Sequence, residues 1–243
     1  MGDIVDGWEL SSGRVFWPQA HSDVLQKLLK RARKGCRIVY CPGNHDEALR
    51  DFIQDRSMEL GENVVVTTEA LHTTVDGRRF LVLHGDRCDL TPHVRDDLTY
   101  SIKSLIYRMF QAFNRTIKFA RRLLRLPYWS LASTVNTNVG AAAKLIKNYE
   151  EALAGEARYQ EVDGVICGHI HHAAIRSIDG VTYANTGDWV DSCTAVVEGF
   201  DGQLEVLRWI DLKGKLEQGG KKEKAPKFKE PKSALIQELL ARS

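Results

Sequence analysis

Residues Val165–His171 read VICGHIH: three apolar residues, a glycine, and two histidines separated by one isoleucine. A short apolar run closed by glycine predicts a buried strand that ends in a sharp turn. The same grammar recurs upstream. Arg37–Tyr40 (RIVY) stops at Cys41-Pro42-Gly43, Phe80–Leu83 (FLVL) runs into His84-Gly85-Asp86, and Val64–Val66 supplies a further run. Ahead of the first of these, Asp23–Lys34 (DVLQKLLKRARK) carries Val24, Leu25, Leu28, Leu29 and Ala32 at helical spacing and ends at Gly35, which predicts one amphipathic helix. Asp76-Gly77, Asp179-Gly180 and Asp201-Gly202 are flanked by apolar or β-branched residues, as hairpin turns between strands are. Helix–strand alternation together with hairpins predicts an α/β fold with mixed sheets.

The chain has 243 residues, 43% hydrophobic and 27% charged, with 34 Lys+Arg against 32 Asp+Glu, enough to bury one good-sized core. No run approaches the roughly 18 apolar residues of a spanning helix, and the N-terminus lacks the basic, apolar, small-residue order of a secretory signal. The expectation is a soluble, cytoplasmic protein. The five cysteines (Cys36, Cys41, Cys88, Cys167, Cys193) are odd in number and have no CxxC spacing, so reduced thiols are expected rather than a disulfide framework or zinc ribbon.

From about residue 96 to 158 the pattern changes to long helical stretches broken near Pro127-Tyr128-Trp129, and the strand pattern resumes at Val162. An inserted helical subdomain is expected there, within a main domain of residues 1–212. The tail, residues 213–243, is rich in Lys, Gly and Glu and is expected to lack order by itself, with a short amphipathic stretch at Ala234–Leu240.

The chemistry sits at the strand ends. Gly2-Asp3, Gly43-Asn44-His45-Asp46, His84-Gly85-Asp86 and Gly168-His169-Ile170-His171 each set Asp, Asn or His beside a glycine, where the backbone can turn and aim a side chain at a common point. One such histidine is an ordinary feature of a surface or core. Four clusters together offer carboxylate, amide oxygen and imidazole, the mixture that a divalent ion of intermediate hardness prefers.

The order GD, GNHD, HGD, GHxH resembles the calcineurin-like metallophosphoesterases. Within them, GDIVDGWEL, PGNHDE, HTTVDGRRFLVLHGD, CGHIHHA and YANTGDWVDS look most like the UDP-2,3-diacylglucosamine pyrophosphohydrolase group of lipid A biosynthesis. The resemblance implies a four-layer αββα sandwich with mixed sheets, a helical cap, and a two-metal centre at the strand ends. It implies that Asp3 bridges the two ions, that Asn44, His84 and His169 complete one ion's set, and that His171 serves the other. Two cations about 3.5–4 Å apart would hold a phosphate and turn water into a nucleophile. Catalytic roles fall to Asn44 and to His45, which would donate to a phosphate or leaving oxygen, with Asp46 orienting His45. Mn²⁺ suits the ligand mixture; Fe and Zn²⁺ are chemically acceptable.

Members of this group carry an Asp-x-His strand ahead of the GD motif, and here the chain opens at Met1-Gly2-Asp3. The expected sandwich is therefore N-terminally truncated. Asp3 and His171 alone would be left for the second ion, fewer than the three ligands a tight site needs. One ion at Asp3, Asn44, His84 and His169, with poor hydrolysis, is the corresponding expectation.

Between Ser101 and Arg125 apolar residues alternate with Lys103, Arg108, Arg115, Lys118, Arg121, Arg122 and Arg125, and no acid occurs. A solvated basic face and a surface for an anionic diphosphate or membrane are both compatible with this. The resemblance favours the second, with Arg115, Lys118, Arg121, Arg122 and Arg125 as substrate or membrane contacts, Phe110, Phe113, Phe119, Tyr128 and Trp129 lining an acyl groove, and peripheral association with the inner membrane. Nucleic acid is not an expected partner, for zinc-finger, RNP and helix-turn-helix signals are all absent. GxSxG and GxxxxGK[ST] are absent as well. Asp188 and Trp189, in TGDWVDS, are expected in a structural loop bordering the mouth of the site.

The function so implied is metal-dependent hydrolysis of the pyrophosphate in a lipid-linked UDP-sugar, giving UMP and a lipid monosaccharide phosphate. A phosphodiesterase or phosphatase of other substrate stays open. So does an inactive remnant that binds metal without turnover.

Overall fold

The computed structural model describes residues 2–5, 17, 19–54, 56–88, 140–190 and 192–219. The chain divides into two units, Met1–Cys88 with Glu150–Ser243, and Asp89–Tyr149. Of the second unit, the described part is the first half of one helix, residues 140–149. Of the insertion expected over about 96–158, residues 96–139, including the basic stretch, lie outside the described residues, and residues 150–158 belong to the first unit.

In the first unit the described elements begin with α1 (Gln19–Ala32), β1 (Ile38–Tyr40), α2 (Glu47–Ile53), β2 (Met58–Glu59), β3 (Val64–Val66), β4 (Glu69–Thr73) and β5 (Arg79–Leu83). Helix α3 (Gly140–Tyr159) leads to β6 (Gly164–Cys167), β7 (Ala174–Ile178), β8 (Val181–Asn185), β9 (Thr194–Glu198), β10 (Leu204–Arg208) and α4 (Trp209–Gly219).

The largest sheet has the order β4-β5-β6-β8-β7. Its three middle strands run parallel, and β4 and β7 are added antiparallel at the edges through hairpins. Mixed polarity follows from the turns. Asp179 and Gly180 take φ of +48° and +82°, the primed-turn geometry that matches strand twist. Gly77 and Gly202 take φ of +89° and +78°, and each returns its N–H to the residue three before it, Thr74 at 2.9 Å and Gly199 at 2.9 Å. A second sheet pairs β1 parallel and β2 antiparallel to β3, and β9 and β10 form a hairpin of their own.

The core lies on the middle strands, where Phe80, Val165, Cys167, Tyr183 and Ala184 are all fully buried. Gly164 must be glycine, because the Phe80 ring and the Thr182 carbonyl occupy the place a Cβ would take. Helix α3 covers this core with Leu153, Ala154 and Ala157, one face at helical spacing whose small residues allow close approach. It ends in a Schellman turn, Val162 N–H to Ala157 O and Glu161 N–H to Arg158 O, with Glu161 left-handed at φ +54°. Helix α1 ends the same way, with Gly35 in that position at φ +89°. It begins at Gln19, ahead of the expected Asp23.

The chain carries order further than its composition suggests: α4 runs through Gly219, into the stretch from 213 expected to lack it. No described helix is long and apolar enough to cross a membrane.

Because β5 and β6 are parallel neighbours, HGD and GHIH emerge at the same edge of the sheet. The Gly168 N–H donates to His84 O at 3.0 Å and fastens the two loops. The end of β1 reaches the same place, with Cys41 Sγ 3.8 Å from Val82 O.

Candidate metal centre

Asp3, His84 and His169 each offer one ligand atom, and these atoms all lie within 4.8 Å of one another. The three residues come from widely separated parts of the sequence: the β5–β6 pairing brings the His84 and His169 loops together, and Asp3, which lies in no described strand, is held by the turn that Asp46 fastens. Asn44 joins through Oδ1, 3.1 Å from His169 Nδ1. The His84 and His169 rings meet edge to face with centroids 5.3 Å apart.

His84 is buried, yet neither of its ring nitrogens has a hydrogen-bond partner among the described residues. Nε2 lies 3.1 Å from Asp3 Oδ2, an ion-pair distance without hydrogen-bond geometry. Two groups that face a common third point rather than each other are arranged in this way. A buried imidazole left unsatisfied costs about 1–3 kcal/mol, and a cation between the two groups would remove that cost. The residues therefore fit a divalent ion of the kind that accepts nitrogen and oxygen together.

Space for such an ion depends on Gly43. A Cβ there would collide with the Asp3 carboxylate and come within 2.7 Å of His84 Nε2. Backbone strain gathers at the same point: Asp3, His169 and His171 take φ of +58°, +66° and +56°, a region non-glycine residues avoid unless the surroundings impose it.

Three side chains do the imposing. The Asp46 carboxylate accepts from the Ile4 N–H (3.1 Å), the Gly43 N–H and the Tyr40 hydroxyl, so it fastens the Asp3 turn to the GNHD loop. The Arg50 guanidinium grips Asp86 with two bonds of 2.8 and 3.0 Å and the Pro42 carbonyl at 2.7 Å. Asn185, fully buried, donates to Gly168 O at 2.7 Å and accepts from the Gly187 N–H at 2.9 Å, which supports the GHIH turn from below. Tyr40, Arg50 and Asn185 have no place in the four Gly-flanked clusters; Arg50 and Asn185 act through Asp86 and Gly168, 36 and 17 residues away, and Tyr40 through Asp46, six residues on.

The electrostatics agree with ionised carboxylates. Burial alone would raise the Asp3 carboxyl, but the His84 ring and the backbone N–H of His45, 2.9 Å away, outweigh it and hold it at about 2. Burial likewise works against Asp86, and Arg50 overrides it, leaving Asp86 below the ordinary carboxylate value. The Tyr40 hydroxyl is pushed up by burial and by Asp46, so it stays a donor. Burial raises the Cys41 and Cys88 thiols, which makes neither a ready nucleophile.

His171 is not among the converging ligand atoms and is exposed. His45 is half-buried, its backbone tied to Asp3. Asp188 turns its carboxylate onto the Ser192 N–H and hydroxyl, the latter at 2.6 Å, and shapes the β8–β9 loop. Trp189 stands 70% exposed in that loop, its indole N–H on Thr194 O at 3.0 Å. Arg115, Lys118, Arg121, Arg122 and Arg125, with the aromatic residues expected beside them, lie outside the described residues.

A UDP-2,3-diacylglucosamine hydrolase of Porphyromonas gingivalis (strain ATCC BAA-308 / W83) is 24% identical over 234 residues, covering 87% of this chain and 82% of the relative. Among solved structures, an archaeal phosphodiesterase (13% identity, 71% of this chain, 68% of that one) and zinc-complexed Vps29 of Entamoeba histolytica (14% identity, 75% and 87%) superpose with TM-scores of 0.31 and 0.28. The calcineurin-like phosphoesterase pattern matches residues 1–173, which include all four motif loops. The chain thus belongs to the calcineurin-like phosphoesterase family, hydrolases that generally bind divalent metals.

Proposed function

We propose that this chain hydrolyses the pyrophosphate of a lipid-linked UDP-sugar of the UDP-2,3-diacylglucosamine type, with a divalent ion, Mn²⁺ by ligand preference, held by Asp3, Asn44, His84 and His169. The observation that carries the metal-dependent part is the buried His84 ring, whose nitrogens make no hydrogen bond among the described residues and whose Nε2 stands 3.1 Å from Asp3 Oδ2. The substrate class is supported by the resemblance of the motif loops and by the activity named for the relative at 24% identity.

When bound, the ion supplies Lewis acidity: it makes water nucleophilic near neutral pH and neutralises phosphoryl oxygens. The chain's own residues do the rest. Asp3, held ionised, presents negative charge to the cation, while Gly43 keeps the space before it clear. His45, fixed at its backbone by Asp3, donates a proton to the leaving phosphate oxygen. Asp46, Arg50 and Asn185 keep the loops in register, so that the donors are oriented before substrate arrives. The acid-free basic stretch from Arg115 to Arg125 meets the diphosphate or an anionic membrane surface.

The test is an assay of the full chain with Mn²⁺ on UDP-2,3-diacylglucosamine and on a simple aryl phosphodiester. Release of UMP from the lipid-linked substrate, well above turnover of the aryl ester, is expected. Turnover of the aryl ester alone would assign a different substrate, and no turnover of either would contradict hydrolysis by this chain.

A further inference from the structure

The two loops that carry Asn44 and His84 leave different sheets, and α2 reaches between them. Arg50, near the middle of α2, has a side chain only 12% exposed. Its Nη2 donates to the carbonyl of Pro42, two residues before Asn44. Nη1 and Nη2 together grip both oxygens of Asp86, two residues beyond His84. The Asp86 side chain is itself 9% exposed, so the contact is made away from water.

We infer that Arg50 is a positioning residue of the metal centre, one guanidinium setting the distance at which the Asn44 and His84 ligand atoms converge. The inference rests on the reading of that centre given above. Guanidinium chemistry suits this role, since a planar fork makes the bidentate carboxylate contact and still directs an N–H at a carbonyl, whereas an ammonium is a point charge without a fixed fork. Stability alone is a poor reason for the pair. Replacing a buried ion pair by apolar residues of similar volume is often neutral or stabilising, so a chain selected only to fold has little need of it. Loop register is what the apolar replacement cannot supply, because it has no bond to offer Pro42 O. Changes one shell outside a metal commonly lower its affinity about 10–100-fold.

The test compares the wild-type full chain with Arg50→Lys and with the double variant Arg50→Met/Asp86→Leu, which leaves no unpaired buried charge. Mn²⁺ affinity is read by calorimetry, thermal unfolding by circular dichroism, and the His84 ring nitrogens by NMR in metal-free protein. The double variant is expected to unfold at a temperature close to the wild type or above it, while Mn²⁺ affinity falls about 10–100-fold. Arg50→Lys, which keeps the charge, is expected to lose affinity as well, and the His84 resonances are expected to shift in both variants. Wild-type Mn²⁺ affinity in either folded variant would overturn the inference. If the wild type itself takes up no Mn²⁺, the metal-centre reading fails, and the His84 resonances decide the clamp alone: displaced signals uphold it and unmoved signals overturn it.

Discussion

His84 Nε2 stands 3.1 Å from Asp3 Oδ2 without a hydrogen bond between them, although His84 is buried. A pair optimised only for folding would rotate into a proper bond or be replaced by apolar residues. Unsatisfied polar atoms and left-handed backbone at Asp3, His169 and His171 mark a region shaped for something other than stability.

His84→Leu tests this directly. The ring's one polar contact in the metal-free fold is its ion-pair contact with Asp3, offset by the cost of about 1–3 kcal/mol of its unsatisfied nitrogens, so metal-free stability is expected to change by no more than about 1 kcal/mol in urea unfolding. Mn²⁺ uptake is expected to disappear. A large loss of metal-free stability would show that the ring holds the fold rather than a cation.

Two glycines separate site from fold. At Gly43 a Cβ would strike the Asp3 carboxylate and His84, whereas at Gly164 it would strike Phe80 and the Thr182 carbonyl in the core. Gly43→Ala is expected to leave a folded protein whose Mn²⁺ affinity is at least about tenfold weaker. Gly164→Ala is expected to cost about 1–3 kcal/mol or more by overpacking, seen as a lowered urea midpoint.

Acid should weaken the fold in a defined window. Asp3 and Asp86 both titrate below the ordinary 3.8, Asp3 at about 2. Between those values the unfolded chain binds more protons than the folded one, so stability rises with pH there. The carboxylates' contribution is complete above about pH 4 and is lost as pH falls through the folded values. Urea midpoints measured from pH 5 down to pH 2 in metal-free buffer should show this fall, and Asp86→Asn should make it shallower.

Much of the fold was legible because its signals are local. RIVY, VVV, FLVL and VIC became β1, β3, β5 and β6, and each DG pair became a hairpin. The early start of α1 was hidden, since its first turn carries no apolar period and is held by polar contacts such as Gln19 to Asp23 at 3.0 Å. Helix α4 was hidden by a Lys- and Gly-rich composition that also describes disordered tails. At the site, ligand types beside glycine are visible in a sequence, so Asp3, Asn44, His84 and His169 are legible there as candidates. Arg50 and Asn185 carry no such mark. One is an arginine on a short helix and the other an asparagine at a strand end, and only their partners, Asp86, Pro42 and Gly168, show what they do.

The basic stretch makes a separate prediction. The full chain is expected to co-sediment with anionic phosphatidylglycerol vesicles, and Arg121→Glu/Arg122→Glu/Arg125→Glu is expected to abolish this at physiological salt. Binding unchanged by the triple replacement would remove the membrane from the account.

The most direct measurement is calorimetric titration of the metal-free full chain with Mn²⁺, repeated on Asp3→Ala and His169→Ala. The account predicts one tight ion per chain, lost in both variants. Failure of the wild type to bind, or two tight ions of similar affinity, would contradict it.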